Sequence, residues 1–306
     1  MKESLRRYRQ LTGCLTEPLR TALSAHEASL SDKITEIRLR ADRPVSVQTP
    51  TDRYYLTASG NLTAFYSHSL WTTDVHMLDE VVRKICEYSV YSRQNEIVNG
   101  FITLRGGHRA GICGTAVLRD GEMSNVRCIS SVNLRFAREI RGSADQLLHS
   151  VKDISGGVLI CGEPSSGKTT LLRDLARQLS ADRNVALIDE RGELAACIGG
   201  MPQNDVGLCD VYDGYPKAEA MRHAVRTMSP DVLICDEIGT DEEASLRNCL
   251  RGGVAVIATA HIRHREELRR HPAFRTGAFS TVVFLSGRQN VGEIISVQSV
   301  GDVLAA

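Results

Sequence analysis

The feature that most limits the fold is a glycine-rich turn near the middle of the chain, within the stretch LICGEPSSGKTTLLRDLARQL. Its residues fit the pattern G-x-x-x-x-G-K-[ST] from Gly162 to Thr169. The apolar segment VLIC before the turn predicts a buried strand, and the leucines of LLRDLARQL recur at the spacing of one helix face. A strand, a glycine-rich turn and a helix in this order are the context that a phosphate-binding loop requires.

In such a loop, backbone N–H groups and the start of the helix face the phosphates of a nucleoside triphosphate. We expect Lys168 to contact the β- and γ-phosphates and the Thr169 hydroxyl to bind Mg²⁺. The alternative is a chance match in a turn rich in Gly and Ser, and the flanking elements favour phosphate binding over it. The predicted nucleotide-binding residues are Gly162, Glu163, Pro164, Ser165, Ser166, Gly167, Lys168, Thr169 and Thr170.

Further apolar segments follow this loop and alternate with helical patterns. They are VALID (185–189), VLICD (232–236), VAVIATA (254–260) and VVFLS (282–286). Continuous apolar strands separated by helices indicate a mainly parallel sheet that is covered on both faces. The second half is therefore predicted to be an α/β domain with a phosphate-binding loop.

The first half has a different pattern. Ile37 and Leu39 alternate with charged residues in TEIRLR, which predicts a half-buried strand. The stretch GFITLRGGHRAGICGTAVL predicts a hairpin that turns at Gly106 and Gly107. Strands that follow one another through tight turns indicate a smaller α+β domain with an antiparallel sheet.

The composition changes in the short amphipathic segment GSADQLLHSVKDISGG, which ends in two glycines. We place the domain boundary there, at about residue 145. The prediction is an α+β N-terminal domain over residues 1–145 and an α/β domain over residues 146–306.

Two carboxylates follow one of the buried segments: VLIC at 232–235 runs directly into Asp236 and Glu237. We expect Asp236 to bind Mg²⁺ through its water and Glu237 to polarise the attacking water. The alternative is an ordinary solvated strand end, which the phosphate loop upstream makes less favoured. Glu after Asp indicates hydrolysis, and because the chain has no N-K-x-D motif, ATP is expected rather than GTP.

Two other strand ends carry polar side chains. His261 follows VIATA and is predicted to sense loss of the γ-phosphate, although a lone His is more often structural. Asp189, Glu190 and Arg191 follow VALID and are expected to point toward the same crevice. A carboxylate there could orient water or metal, or it could pair with Arg191 and do nothing more; both alternatives stay open.

Charge and composition limit the partners and the cellular compartment that can be expected for this protein. The formal net charge is zero and the pI is near 7.1, so no global charge attracts nucleic acid or acidic lipid. Nine cysteines without a C-x-x-C pair and an N-terminus too polar for an export signal predict a cytoplasmic protein. Since no apolar run approaches the roughly 20 residues of a spanning helix, only peripheral membrane contact is expected.

The order of phosphate loop, LIDERGEL, MSPDVLICDEIG and ATAHI resembles the RecA-like motor ATPases of type II and type IV secretion and of type IV pili. Within that superfamily it is most similar to the stage III sporulation protein AA family. The similarity extends into the first half through EIRLRADRPV, GFITLRGGHRAGICGTAV and ISSVNLRFAREIRG. It implies a RecA-like domain that uses ATP and Mg²⁺.

The resemblance also implies a biological setting. A hexameric ring on the mother-cell face of the membrane would energise the channel between mother cell and forespore during endospore formation. Integral membrane and ring-forming sporulation channel proteins would be its partners.

The resemblance assigns roles by position in this sequence. It implies a Walker A loop at 162–170, an Asp-box carboxylate at Glu190, a Walker B pair at Asp236 and Glu237, and a His box at His261. Secretion motors typically carry Gly-Glu at the Walker B end, so Asp236 weakens any detailed transfer of their metal geometry.

Secretion motors also bring arginines from the N-terminal domain onto the γ-phosphate. The candidates here are Arg135, Arg138 and Arg141, placed on the last strand before the linker, and none of the three is preferred. Their alternative role is to form salt bridges at the domain boundary.

A competing hypothesis is a RecA-like nucleic-acid-dependent ATPase or single-strand binder, because HIRHREELRRH (261–271) is basic. Glu266 and Glu267 interrupt that segment and no stacking aromatics interleave with it, so a solvated helix face is favoured. A third hypothesis is a regulatory nucleotide binder without turnover, which the presence of Lys168 and Glu237 argues against.

Overall fold

The structure is a computed structural model that describes residues 2–98, 100–151, 153–287 and 290–305. The chain divides into two compact units between Arg138 and Glu139. The sequence pattern places the boundary at about residue 145, in the linker region just beyond this division. Each unit has its own hydrophobic core.

The first unit combines short helices with one sheet. Its helices are α1 (Glu3–Thr12), α2 (Leu19–Ser24), α3 (Glu27–Leu30), α4 (Val75–Ile85) and α5 (Gln94–Val98), with a 3₁₀ turn at Tyr91–Arg93. Its strands are β1 (Glu36–Arg40), β2 (Arg43–Gln48), β3 (Arg53–Leu56), β4 (Leu62–Thr63), β5 (Thr72–Thr73), β6 (Phe101–Leu104), β7 (His108–Arg119) and β8 (Glu122–Arg135).

The sheet of this unit is antiparallel, as the sequence predicts. Its order is β4-β3-β2-β1-β8-β7-β6, and β5 pairs with β2. Leu104 pairs with His108, so the β6–β7 hairpin turns through Gly106 and Gly107, whose φ angles are +80° and +73°. Glycine adopts this left-handed region at little cost, which explains its place in the turn.

His108, at the start of β7, is completely buried beneath this hairpin. Its Nε2 lies 2.8 Å from the carbonyl oxygen of Arg7, and its Nδ1 accepts the backbone N–H of Ala137 at 3.0 Å. The ring is therefore neutral, with its proton on Nε2. Burial lowers the pKa of His108 from 6.5 to about 4.

This buried histidine predicts a loss of stability in acid. Between pH 6.5 and 4 the unfolded chain binds a proton that the folded chain excludes, so acidification favours unfolding. We expect the free energy of unfolding to fall by about 2 kcal/mol more between pH 7.5 and 5 in the natural chain than in His108→Gln. Urea unfolding followed by the fluorescence of Trp71, the only tryptophan, measures this because Trp71 packs on the core of the first unit.

The exposed His76→Gln variant is the control for that experiment and should keep the pH dependence of the natural chain. An unchanged pH dependence in His108→Gln would show that His108 does not carry the effect.

The second unit alternates strands and helices. Its helices are α6 (Asp145–Ser150), α7 (Lys168–Leu179), α8 (Lys217–Thr227), α9 (Glu243–Arg251), α10 (Arg265–Arg270) and α11 (Val300–Ala305), with a 3₁₀ turn at Pro272–Thr276. Its strands are β9 (Val158–Cys161), β10 (Val185–Asp189), β11 (Asp210–Asp213), β12 (Val232–Cys235), β13 (Ala255–Ala260), β14 (Thr281–Leu285) and β15 (Ile294–Ser299).

The second sheet runs in the order β11-β10-β12-β13-β9-β14-β15. Its pairs are parallel except for β14 with β15. Successive residues of β9 belong to two different core clusters, Leu159 and Cys161 on one face and Val158 and Ile160 on the other. Helices cover both faces, with α8 and α9 on the first and α7 on the second. The predicted parallel α/β sheet is confirmed.

Two strands of this sheet escaped sequence prediction, β11 and β15. Both lie at its edges, and their residues are half-buried or exposed rather than continuously apolar. An edge strand of this kind carries neither the apolar run nor the strict alternation on which a sequence-based assignment depends.

Candidate functional site

The predicted phosphate loop connects β9 to α7 at the carboxyl end of the parallel strands. Gly167 caps the helix with a φ of +95°, and Ser165 also has a positive φ of +66°. A Cβ on Gly167 would lie 3.0 Å from the backbone nitrogen of Gly292. The loop therefore needs glycine at this position for both conformation and space. The first N–H groups of α7 lack partners within the helix and face outward from its positive end.

Lys168 is the first residue of α7, and only 5% of it is exposed. Its Nζ donates to the carbonyl oxygens of Gly162 and Glu163, each at 2.7 Å. Burial lowers the pKa of Lys168, whereas the Asp236 and Glu237 carboxylates act in the opposite direction. The loop carbonyls and the two acids thus hold a desolvated ammonium in the loop.

The other predicted loop residues differ in burial. Pro164 and Ser165 are exposed at the tip, and Thr170 is half-buried in the first turn of α7. Arg263 Nε lies 3.3 Å from a carboxylate oxygen of Glu163. Ser166 is fully buried, and its hydroxyl has no hydrogen-bond partner among the described residues. A buried hydroxyl without a partner is costly, and a bound phosphate oxygen is a group that such a hydroxyl can contact.

Asp236 follows β12 and faces the loop. The Thr169 hydroxyl donates to Asp236 Oδ2 at 3.3 Å. The other oxygen, Oδ1, accepts the Thr259 hydroxyl at 2.7 Å and the backbone N–H of Glu237 at 2.9 Å. Because these bonds fix the carboxylate, Oδ2 stays directed toward Thr169. A hydroxyl and a carboxylate side by side fit Mg²⁺, which takes one or two carboxylates together with water and phosphate oxygens.

Glu237 occupies an uncommon backbone conformation, with a φ of +32°. Its Oε2 lies 2.9 Å from Arg191 Nη1, and its Oε1 lies 3.5 Å from His261 Nε2. His261 Nδ1 lies 3.2 Å from Lys168 Nζ. Since an ammonium can only donate, Nδ1 is the acceptor and the ring proton is on Nε2, facing Glu237. His261 thus links Lys168 to Glu237.

The strand end after β10 differs from its prediction. Asp189 is buried and does not point toward the crevice with Glu190 and Arg191. Its two carboxylate oxygens accept the backbone N–H groups of residues 193–196, at 2.7 to 3.1 Å. These four bonds stabilise the buried carboxylate and direct it into its own loop. That part of the prediction is wrong, because the following loop satisfies Asp189 locally.

Glu190 lies beside α8. Its Oε1 accepts the backbone N–H of Lys217 at 3.1 Å, and its Oε2 lies 3.6 Å from Lys217 Nζ. The predicted Asp-box carboxylate therefore caps the start of α8, which is a favourable place for negative charge.

Lys217 is a residue that the sequence reasoning missed. Only 7% of it is exposed, and its Nζ donates to the carbonyl oxygen of Glu237 at 2.6 Å. Its position in the sequence could have drawn attention to it. Lys217 follows Pro216 at the start of a helical pattern, where a cation faces the positive end of the helix dipole. A lysine in that unfavourable position indicates a nearby acidic partner.

The sequence analysis placed all three candidate arginines on the last strand before the linker, but only Arg135 belongs to that strand. β8 ends at Arg135, which pairs with Glu36, the first residue of β1, and with Arg109 of β7. Arg138 follows the strand and donates to the carbonyl oxygen of Ile34 at 3.2 Å.

Arg141 belongs to the second unit. Its Nη2 lies 2.7 Å from Asp205 Oδ2 and its Nε lies 3.3 Å from Glu139 Oε1, so Arg141 forms ion pairs with both acids. Arg135, by contrast, is exposed at the end of β8 in the first unit. A role for any of the three at a neighbouring subunit's phosphate stays a prediction.

The fold of the chain is that of the RecA-like motor ATPases. It superimposes on the pilus retraction motor PilT with bound ADP at a TM-score of 0.56, with 15% identity over 88% of this chain and 78% of that one. The Legionella pneumophila ATPase DotB gives a TM-score of 0.52, with 15% identity over 86% of this chain and 74% of that one. At such identities the likeness concerns the fold.

The family follows from sequence. Residues 5–302 match the family described as Sporulation stage III, protein AA, and the chain belongs to it. Stage III sporulation protein AA of Bacillus subtilis (strain 168) is 34% identical over 301 residues, which are 94% of each chain. The resemblance drawn from the motifs is confirmed. Within the described part of the chain, no helix has the length and apolar character to cross a membrane.

Proposed function

We propose that this protein is a Mg²⁺-dependent ATPase that acts as a secretion-type motor in endospore formation, converting ATP and water to ADP and phosphate. The observation that carries the proposal is the convergence of Lys168, Thr169, Asp236, Glu237 and His261 at the carboxyl edge of one parallel sheet. These residues lie in the segments that follow β9, β12 and β13, at the edge where open α/β sheets bind their ligands.

The loop binds the triphosphate. The N–H groups at the start of α7 would contact phosphate oxygens, and the ammonium of Lys168 would turn from its two carbonyl partners to the β- and γ-phosphates. Thr169 and Asp236 would hold Mg²⁺, which supplies a positive charge that neutralises the phosphate oxygens. Because Lys168 is already desolvated, its charge acts on the phosphates with little screening by water.

Glu237 acts on the attacking water. Its carboxylate accepts a proton from that water as the water oxygen bonds to the γ-phosphorus and the bond to the bridging oxygen breaks. Arg191 Nη1, 2.9 Å from Oε2, and His261 Nε2, 3.5 Å from Oε1, hold this carboxylate in place. His261 connects this base to Lys168, so a change at the γ-phosphate can reach Glu237 through one imidazole ring.

The proposed biological role is based on the family to which the chain belongs. We propose a hexameric ring at the mother-cell face of the membrane, in peripheral contact with it. Integral membrane and ring-forming sporulation channel proteins would be the partners, and the channel between mother cell and forespore would be energised by hydrolysis. One of Arg135, Arg138 and Arg141 would contact the γ-phosphate of a neighbouring subunit, so that loss of the phosphate releases a charge contact and moves the subunits.

The purified chain is expected to release phosphate from ATP only when Mg²⁺ is present, and removal of Mg²⁺ by a chelator should abolish the activity. Phosphate release with and without single-stranded DNA, at two salt concentrations, separates this from the competing hypothesis. Strong, salt-sensitive stimulation by DNA would favour a nucleic-acid-dependent ATPase. ATP binding without any phosphate release would favour a regulatory binder.

A further inference from the structure

We infer that Lys217 is a positioning residue that holds the main chain of Glu237 in its working conformation. The inference rests on the proposed ATPase function, because Glu237 is the base in that reaction. Lys217 touches neither the phosphate loop nor Asp236 in any contact of the described residues; it acts through the backbone of its neighbour.

The main chain of Glu237 is held on both sides. Its N–H is bonded to Asp236 Oδ1 and to the Thr259 hydroxyl, each at 2.9 Å. Its carbonyl oxygen accepts the Lys217 ammonium at 2.6 Å. The N–H bonds tie Glu237 to the ends of β12 and β13, and the carbonyl bond ties it to the start of α8.

This double attachment matters because the conformation is strained. A non-glycine residue at a φ of +32° lies in a sparsely populated region, and such a conformation persists only where the surroundings determine it. Without the carbonyl bond, Glu237 can relax toward negative φ. The carboxylate would then move away from Arg191 and His261, which contact it in the present conformation.

Glu190 completes the arrangement by neutralising Lys217. A lysine that is only 7% exposed needs an acidic partner, and the Glu190 carboxylate 3.6 Å from its Nζ provides one. Glu190 also accepts the backbone N–H of Lys217, which fixes the start of α8. Glu190 therefore influences hydrolysis indirectly, through Lys217 and then Glu237.

The test is Lys217→Met, which keeps the length of the side chain and removes the ammonium. We expect kcat for ATP hydrolysis to fall at least about tenfold, because small displacements of a catalytic group are costly, while KM changes by less than about threefold. Hydrogen exchange without nucleotide gives a second readout. The Glu237 amide should exchange at least about tenfold faster, since its bonds depend on the held conformation.

The matched control is Arg222→Met, an exposed cation on the same helix, which should match the natural chain in both measurements. Glu190→Gln is the second variant and serves if Lys217→Met does not fold; it should lower kcat and speed Glu237 exchange in the same direction. Adding Glu190→Gln to Lys217→Met should not lower kcat further, because Glu190 acts on Glu237 through Lys217.

The outcomes separate the two claims. If Lys217→Met loses stability but keeps kcat and Glu237 exchange, Lys217 is only structural and the inference is wrong. If the natural chain releases no phosphate, the proposed ATPase fails, and the exchange measurement alone still decides whether Lys217 holds Glu237.

Discussion

Glu237→Gln should lower phosphate release by at least about a hundredfold while ATP still binds with close to its natural affinity. Glutamine has the size of glutamate but cannot accept the proton of the attacking water. The phosphate loop, Lys168 and the Thr169–Asp236 pair are unchanged in this variant, so binding is retained. Single-turnover phosphate release and titration with a fluorescent ATP analogue measure the two effects separately.

Glu266→Gln is the matched control, because Glu266 is an exposed acid on α10 in the same unit. It should hydrolyse ATP at the natural rate. Unchanged turnover in Glu237→Gln would remove Glu237 as the base and with it the mechanism proposed above.

Lys168→Met should fail one step earlier, at binding. We expect affinity for ATP to fall at least about tenfold and turnover to be lost, because the triphosphate loses its one buried ammonium partner in the loop among the described residues. The variant should still fold well. Burial lowers the pKa of Lys168, so the folded state disfavours its charge, and an apolar side chain of similar length removes that penalty.

Binding of the ATP analogue and the urea midpoint of unfolding test this pair of expectations. Arg183→Met, an exposed cation in the same unit, is the control and should keep both binding and turnover. Normal ATP binding by Lys168→Met would contradict the assignment of the loop. Together, the Lys168 and Glu237 variants separate nucleotide binding from hydrolysis.

Much of the second unit could be predicted from local pattern. Four of its interior strands are fully buried and mostly apolar runs of four to six residues, and a run of that kind next to a helical pattern has few other structures available. The edge strands β11 and β15 were missed because their residues are exposed or only partly buried. The interior strands could be predicted because burial on both faces of the sheet makes them apolar, and these two edge strands lack that burial.

The candidate site was predictable to the extent that parallel strands end at one edge of a sheet. Lys168 and His261 are 93 residues apart in sequence and 3.2 Å apart in space, as that rule leads one to expect. The rule does not say where a side chain turns once it reaches the edge. Asp189 bonds to its own loop and Glu190 to Lys217, while Arg191 reaches Glu237.

The sequence alone therefore determined the local elements: the loop, the apolar strands, and the identity of the polar residues that end them. Those depend on backbone conformation and side-chain periodicity within a few neighbouring residues. Only the tertiary structure decided the partners of each charge, and above all that Lys217 holds the carbonyl of Glu237. That contact requires β10, β12 and the start of α8 to come together, which depends on strand order and on the cost of burying an unpaired charge.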